Sequence, residues 1–252
     1  MGRESSKEKI RVRIAHSFGD VRVLDDVHFE VGENEFLCIV GPTGCGKTTL
    51  AKILAGLTRP TYGGVVVDDV QVDPQKLNVA FVFQEPSCLP WLTVEKNVAI
   101  GLEIKGVRKE RAASRIREVI NVVALNGFEH YYPVQILGGM KQRVAIARAL
   151  APNPSFLIMD EPFAHLDAQT RYYMQLEVRR IWEHLKTTVV FITNNIEEAV
   201  LLGDRVIVLS RLPARVIGQV VVDLPRDKRE VTEPRLIELR SRVAEMCEAV
   251  LV

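Results

Sequence analysis

The 252-residue chain has no imbalance of charge: 33 lysines and arginines stand against 32 aspartates and glutamates, a formal net charge of +1. That balance gives no global electrostatic reason to expect a nucleic acid or an anionic membrane as partner. No apolar run approaches the ~20 residues needed to span a bilayer. A role at a membrane therefore requires docking onto another chain that crosses it. The four cysteines (Cys38, Cys45, Cys88 and Cys247) show neither CxxC spacing nor a disulfide ladder. With no cleavable signal sequence, a reducing compartment is expected. The opening Met1-Gly2-Arg3-Glu4-Ser5-Ser6 fits the loose N-myristoylation pattern. That reading is set aside, because the pattern is short and everything downstream looks bacterial. Low-complexity segments, internal repeats and long Gly/Ser linkers are also missing.

What is present is an ordinary globular composition, 47% apolar and 26% charged, long enough to bury a sizeable core. Ile10–Ala15 and Val21–Val31 read as strands of a small N-terminal sheet. Phe36–Val40 is a short apolar run ending at a glycine turn, with a helix expected from Lys47 to about Leu57. Strand signals recur at Gly64–Val67, Val79–Phe83, Phe156–Met159, Thr188–Thr193, Arg205–Leu209 and Val216–Asp223. Helical periodicity falls at 108–125, 139–151, 168–186, 195–202 and 233–250. Short buried strands interleaved with helices predict an α/β fold around a mainly parallel sheet. The strand-poor segment 93–135 predicts an inserted helical lobe.

Gly41-Pro42-Thr43-Gly44-Cys45-Gly46-Lys47-Thr48 matches the P-loop pattern GxxxxGK[ST] between an apolar strand and a helix. Glycines let the backbone curl with its N–H groups inward, and those amides with the helix N-terminus suit phosphate. Lys47 adds a point charge for the β- and γ-phosphates, and Thr48 offers a hydroxyl to Mg²⁺. Thr49 completes the candidate nucleotide-binding run. Phe156-Leu157-Ile158-Met159-Asp160-Glu161 is four apolar residues ending in two acids. A buried parallel strand would deliver Asp160 to the sheet edge as a Mg²⁺ ligand. Glu161, one residue on, is placed to orient or deprotonate water.

The intervening residues decide the kind of P-loop ATPase. Val82-Phe83-Gln84-Glu85-Pro86 resembles the Q-loop of ABC ATPases, and Ile136-Leu137-Gly138-Gly139-Met140-Lys141-Gln142-Arg143 resembles their signature motif. Glu161-Pro162-Phe163-Ala164-His165-Leu166-Asp167 resembles Walker B running into the D-loop. This resemblance covers about residues 10–225, in the family's order and spacing. Leu89-Pro90-Trp91-Leu92-Thr93-Val94-Glu95-Lys96-Asn97-Val98 and Leu166-Asp167-Ala168-Gln169-Thr170-Arg171 resemble the nitrate/sulfonate/taurine group of importer ATPases. The chain ends without room for the C-terminal regulatory domain that some sugar-importer ATPases carry.

The resemblance implies one ABC ATPase domain over 1–252, with a P-loop core plus a small antiparallel β subdomain at about 10–85 and 155–225. A helical subdomain at about 86–154 and a C-terminal helix at about 233–250 complete it. Phe18 takes the place of the aromatic that stacks on adenine, with ordinary core packing as the alternative. Gln84 matches the residue linking Mg²⁺ and the attacking water to the helical lobe. Residues 137–140 (Leu137, Gly138, Gly139, Met140) are to complete ATP held by another copy or a related chain, with Asp167 in the D-loop. The surface Glu85–Trp91 is to receive a transmembrane permease subunit, although Trp91 reads equally as core. The implied setting is the cytoplasmic face of a bacterial or archaeal membrane, beside a solute-binding protein, with no nucleic acid partner. Import is favoured over export. A degenerate ATP-binding subunit of a heteromeric complex stays open, and a soluble ABC protein of translation or DNA repair is disfavoured.

Three positions depart from the family pattern. Leu137 replaces the signature serine, removing a hydrogen bond to the γ-phosphate worth roughly 1.5–3 kcal/mol. Asn194 stands where the switch histidine contacts that phosphate, and an amide cannot carry an imidazolium charge. Ala164 replaces the usual D-loop serine. Tolerated drift is one reading. The other, favoured here, is an ATPase slowed by Leu137 and Asn194 or made asymmetric.

Overall fold

The structure is a computed structural model that describes residues 10–67, 70–71 and 78–249; the N-terminal hexapeptide read above lies outside the described residues. In chain order come β1 (Ile10–Phe18), β2 (Val21–Val31), β3 (Phe36–Val40), α1 (Lys47–Leu54), β4 (Tyr62–Val67), β5 (Val70–Gln71) and β6 (Val79–Val82). Next are α2 (Val94–Ile104), α3 (Lys109–Val122), α4 (Gly138–Leu150), β7 (Phe156–Asp160) and α5 (Ala168–Leu185). β8 (Thr188–Thr193), α6 (Ile196–Leu202), β9 (Arg205–Leu209), β10 (Val216–Val221) and α7 (Pro234–Glu248) follow.

The chain divides into two compact units, Met1–Leu77 with Thr187–Val252, and Asn78–Lys186. In the first, β1 pairs antiparallel with β2 and β4. Its Ile10-Arg11-Val12-Arg13-Ile14 alternation buries the apolar residues and leaves the arginines exposed, as one covered face of a pleated strand requires. β3 lies parallel to both β8 and β9, and β10 runs antiparallel on β9. All five residues of β3 and all six of β8 are buried. Strands covered on both faces read as continuous apolar runs, which is why both were legible. α7 packs its buried Leu236, Leu239 and Val243 in this unit, where Met246 lies beside Gly218 of β10.

In the second unit β6 runs parallel to β7, with the α2, α3 and α4 helices and α5. Its limits at 78 and 186 reach beyond the helical segment because Asn78 ties β6 to the end of α4. The Asn78 amide donates to Pro152 O (2.8 Å) and Asn153 O (2.5 Å), and Ser155 N donates to Asn78 O (2.7 Å).

Several element limits differ from the sequence expectation, and three of the differences are informative. β1 continues to Phe18 through register shifts on either side of His16, which the alternation rule cannot anticipate. α1 stops at Leu54 rather than Leu57, because Gly56 turns left-handed (φ 71°). Leu57 N then bonds Lys52 O (2.8 Å) and Gly56 N bonds Ile53 O (3.0 Å), a glycine-dependent helix stop. α2 is a separate helix within the helix-rich 93–135 segment, its first turn capped by Thr93, which accepts from Lys96 N. Among the described residues no helix is long and apolar enough to cross a membrane, and all four cysteines are free thiols.

Candidate functional site

In the first unit, β3 ends at Val40 and the chain turns through Gly41–Gly46 into α1. Cys45 N donates to Pro42 O (3.3 Å), closing the loop, and Gly46 serves as the helix N-cap without any side chain. No side chain caps α1, so the positive end of the helix meets the loop directly, which is anion-binding geometry. Gly46 has φ 111°, and a Cβ there would lie 2.8 Å from Val23 Cγ1 and 3.1 Å from Leu24 Cδ2. Conformation and close approach both demand glycine. Strand β2 is pinned beneath it, since Ala214 N donates to Val23 O and Asp25 N to Ala214 O, each at 2.8 Å. Gly41 is similarly confined by Cys45 Sγ and Leu209 Cβ, each 3.1 Å from where its Cβ would be. The Lys47 ammonium is buried and spans the loop, donating to Gly41 O and Pro42 O at 3.0 Å each. Thr43 and Thr48 are exposed, and Thr49 is half-buried.

Two further candidates sit in this unit. Phe18 is 56% exposed at the Gly19-Asp20 hairpin, its ring perpendicular to that of His16 at 4.5 Å between centroids. Such exposure excludes the core-packing alternative. Asn194 is exposed on the turn between β8 and α6. The turn is fixed around it: Asn195 N donates to Thr193 Oγ1 (3.0 Å), and the Thr193 hydroxyl donates to buried Glu198 Oε2 (2.6 Å). Asn195 Oδ1 caps α6 by accepting from Glu197 N and Glu198 N. None of the five histidines stands at this position.

The second unit carries the acids. All five residues of β7 are buried, Asp160 at its C-terminal end included. Glu161 follows half-buried at φ 45°, a left-handed conformation that costs a non-glycine residue of order 1–3 kcal/mol and concentrates at functional sites. Its carbonyl accepts from Ala164 N (3.1 Å), so the chain turns at once. Asp167 then caps α5, accepting from Thr170 N at 3.0 Å. The Thr170 bonds hold its carboxyl below the usual aspartate range.

Gln84 and Glu85 are exposed after β6, and Trp91 is 70% exposed, which excludes a core role for it. Sequence reading missed what holds this segment. Asn97 is fully buried in α2; its Oδ1 accepts from Leu89 N (2.8 Å), while its amide donates to Leu89 O, Leu92 O and Thr93 O at 3.0–3.1 Å. Arg148 of α4 donates to Ser87 O and Oγ at 2.6 Å each. An asparagine on the apolar stripe of Val94-Glu95-Lys96-Asn97-Val98 was the available signal. α4 begins at Gly138 with Leu137 as N-cap in extended conformation (φ −72°, ψ 161°), 77% exposed and offering no capping bond. Gly138 is exposed, Gly139 and Met140 half-buried. A Cβ on Gly139 would come 3.3 Å from Thr170 Cγ2.

The two units thus divide the predicted residues. Phe18, the phosphate loop and Asn194 belong to the first, and Gln84, Asp160, Glu161, residues 137–140 and Asp167 to the second. The ABC transporter family profile matches residues 24–164. An uncharacterised ABC transporter ATP-binding protein of Methanocaldococcus jannaschii is 48% identical, over 88% of this chain and 83% of the relative. The aliphatic sulfonates import ATP-binding protein of Bacillus cereus is 39% identical, over 91% of this chain and 90% of its own length. The nitrate import ATP-binding protein of Synechococcus elongatus is 41% identical, over 88% and 84%. A solved ATP-binding cassette, in a dimeric post-hydrolysis state bound to ADP and Pi, superposes with a TM-score of 0.72 at 30% identity. The match covers 86% of this chain and all of that one. With the phosphate loop folded as described and such relatives over most of its length, the chain belongs to the ABC transporter family of ATP-binding proteins.

Proposed function

We propose that the chain hydrolyses ATP and couples that reaction to import of a small solute through partner membrane subunits. The observation that carries this reading is the loop Gly41–Thr48, closed by buried Lys47 and opening directly onto the uncapped amides of α1. ATP phosphates are held there by backbone N–H groups and the lysine charge, and Phe18 stacks on the base.

The candidate metal donors are the Thr48 hydroxyl, the Asp160 carboxylate and the Gln84 amide oxygen, an all-oxygen set that suits Mg²⁺. Among the described residues no group of three or more His, Cys, Asp and Glu is placed to bind a metal. When bound, Mg²⁺ would neutralise charge on the phosphates. Glu161 orients or deprotonates the attacking water, with Gln84 linking it to the helical subdomain, and Asn194 donates to the γ-phosphate as a neutral amide. Because the chain has one phosphate loop and one signature segment, a second ATPase chain supplies Leu137, Gly138, Gly139 and Met140 in trans. Closure and reopening of that pair drive permease subunits docked at Glu85–Trp91. The segment is rigidly tied to α2 and α4 by Asn97 and Arg148, as a force-bearing contact needs.

Sulfonate and nitrate are small oxoanions, and import of a solute of that class, delivered by a solute-binding protein, is the reading carried over from the relatives. The site of action is the cytoplasmic face of a bacterial or archaeal membrane. Exposed Leu137 and Asn194 favour a second reading within the same fold, an ATPase slower than its relatives or paired with a more competent chain. Reconstitution with the permease subunits tests the proposal. Solute uptake and ATP turnover should rise together and both vanish in Lys47→Ala. Turnover without uptake of any oxoanion, with the solute-binding protein present, removes the oxoanion reading, and absence of turnover with every partner favours the degenerate subunit.

A further inference from the structure

We infer that His16 is a positioning residue for the nucleobase platform, holding the Phe18 ring upright so that one face stays open for stacking. This rests on the ATP-binding reading above and on Phe18 meeting the base. His16 and Phe18 lie on β1 with their rings in contact, across the register shift that follows His16. The imidazole is buried while Phe18 is 56% exposed. Their rings are perpendicular (88°) with centroids 4.5 Å apart, the edge-to-face arrangement aromatic quadrupoles favour. An exposed phenylalanine at the end of a strand is otherwise free to rotate, and a backing ring removes that freedom before ligand arrives.

The backing ring is itself fixed. His16 Nδ1 lies 3.3 Å from Thr61 Oγ1, and the same oxygen accepts the Ser17 N–H at 3.1 Å. Thr61 therefore ties both the side chain of His16 and the backbone of the next residue. It does so where β1 changes register against β2 on both sides of His16. The other ring nitrogen, Nε2, is buried with no hydrogen-bond partner. Burying an unsatisfied polar atom is costly, and a leucine would fill the space without that cost. The imidazole is accounted for by what leucine cannot offer: a rigid ring that stands perpendicular to Phe18, with a nitrogen at hydrogen-bond distance from Thr61 to anchor it.

The test compares two ligands on the full chain. Loss of the base contact in Phe18→Ala should weaken ATP binding about tenfold or more while leaving inorganic tripolyphosphate affinity unchanged. His16→Leu should weaken ATP about three- to tenfold, again with tripolyphosphate unaffected. Thr61→Val should shift ATP affinity in the same direction, and His16→Phe, which keeps a ring beside Phe18 but not the bond to Thr61, should recover part of what His16→Leu loses. A His16→Leu chain that loses ATP and tripolyphosphate equally has lost its fold, not its platform, and overturns the inference if His16→Phe behaves the same way. If Phe18→Ala weakens ATP binding but His16→Leu does not, the positioning role is wrong and the Phe18 reading stands. If Phe18→Ala changes nothing, the Phe18 reading fails first and takes the inference with it.

Discussion

Leu137 offers a test in which stability and chemistry separate. It occupies the N-cap of α4 with the extended backbone that a capping residue needs, but its side chain cannot accept from the first-turn amides. At 77% exposure it also contributes little burial that a smaller residue would forfeit. Leu137→Ser should therefore stabilise the protein by about 1 kcal/mol, the usual worth of an N-cap. For a chain of this size that raises Tm by about 2–4 °C. A serine hydroxyl can accept from the helix and still donate its own proton, so it also restores a donor toward a γ-phosphate held by the opposite chain. Combined with Asn194→His, which returns a chargeable donor to the β8–α6 turn, hydrolysis should rise on the order of tenfold. That is below the ~10²–10³ worth of a lone transition-state donor, because the Gly138 and Gly139 amides remain. Leu137→Asp provides the control: it caps the helix and raises Tm similarly, but it places a negative charge toward phosphate and should not raise the rate. Thermal unfolding and steady-state ATP turnover in reconstituted membranes read the two effects. A double variant no faster than wild type means the departures are neutral drift. A serine variant with unchanged Tm refutes the capping geometry as well.

Three further outcomes follow from the site. Lys47→Ala removes the buried charge of the phosphate loop and should weaken Mg-ATP binding roughly 10–100-fold in an equilibrium titration, the worth of hydrogen bonds to a charged group; equal affinities would refute the phosphate site. Glu161→Gln should keep ATP binding but lower turnover on the order of 10²-fold or more. It should also accumulate a closed dimer visible by light scattering with ATP, and an unchanged rate would place the catalytic acid elsewhere. Gly46→Ala puts a methyl group 2.8 Å from Val23 Cγ1 at φ 111°. It should cost about 1–3 kcal/mol in denaturant unfolding and weaken ATP binding, whereas Gly138→Ala, with nothing within 4 Å of its Cβ position, should leave stability nearly unchanged.

Local chemistry made much of this protein readable from its residues in order. Phe36–Val40 and Thr188–Thr193 announced themselves because strands covered on both faces read as near-continuous apolar runs, with threonine only at the two ends of the second. The phosphate loop was equally legible: curling a backbone around an anion requires glycines at fixed intervals, a lysine and a hydroxyl, all within eight consecutive residues. Other features depend on residues far apart in the chain, and no local pattern encodes them. Gly46 is confined by Val23 and Leu24, which are themselves pinned by Ala214. Asn97 stands in the sequence only as one residue of the 89–98 segment, and its four bonds to Leu89, Leu92 and Thr93 exist only in the fold. The exposure of Phe18 and Trp91, which core and surface readings left open, was likewise decided by packing. The sequence by itself determined the α/β class and the glycine-rich loop that joins β3 to α1, because hydrophobic period and backbone curvature are properties of neighbouring residues. Only the tertiary structure decided what braces that loop, what anchors the segment before α2, and what stands behind Phe18, because each needs partners that chain order keeps apart.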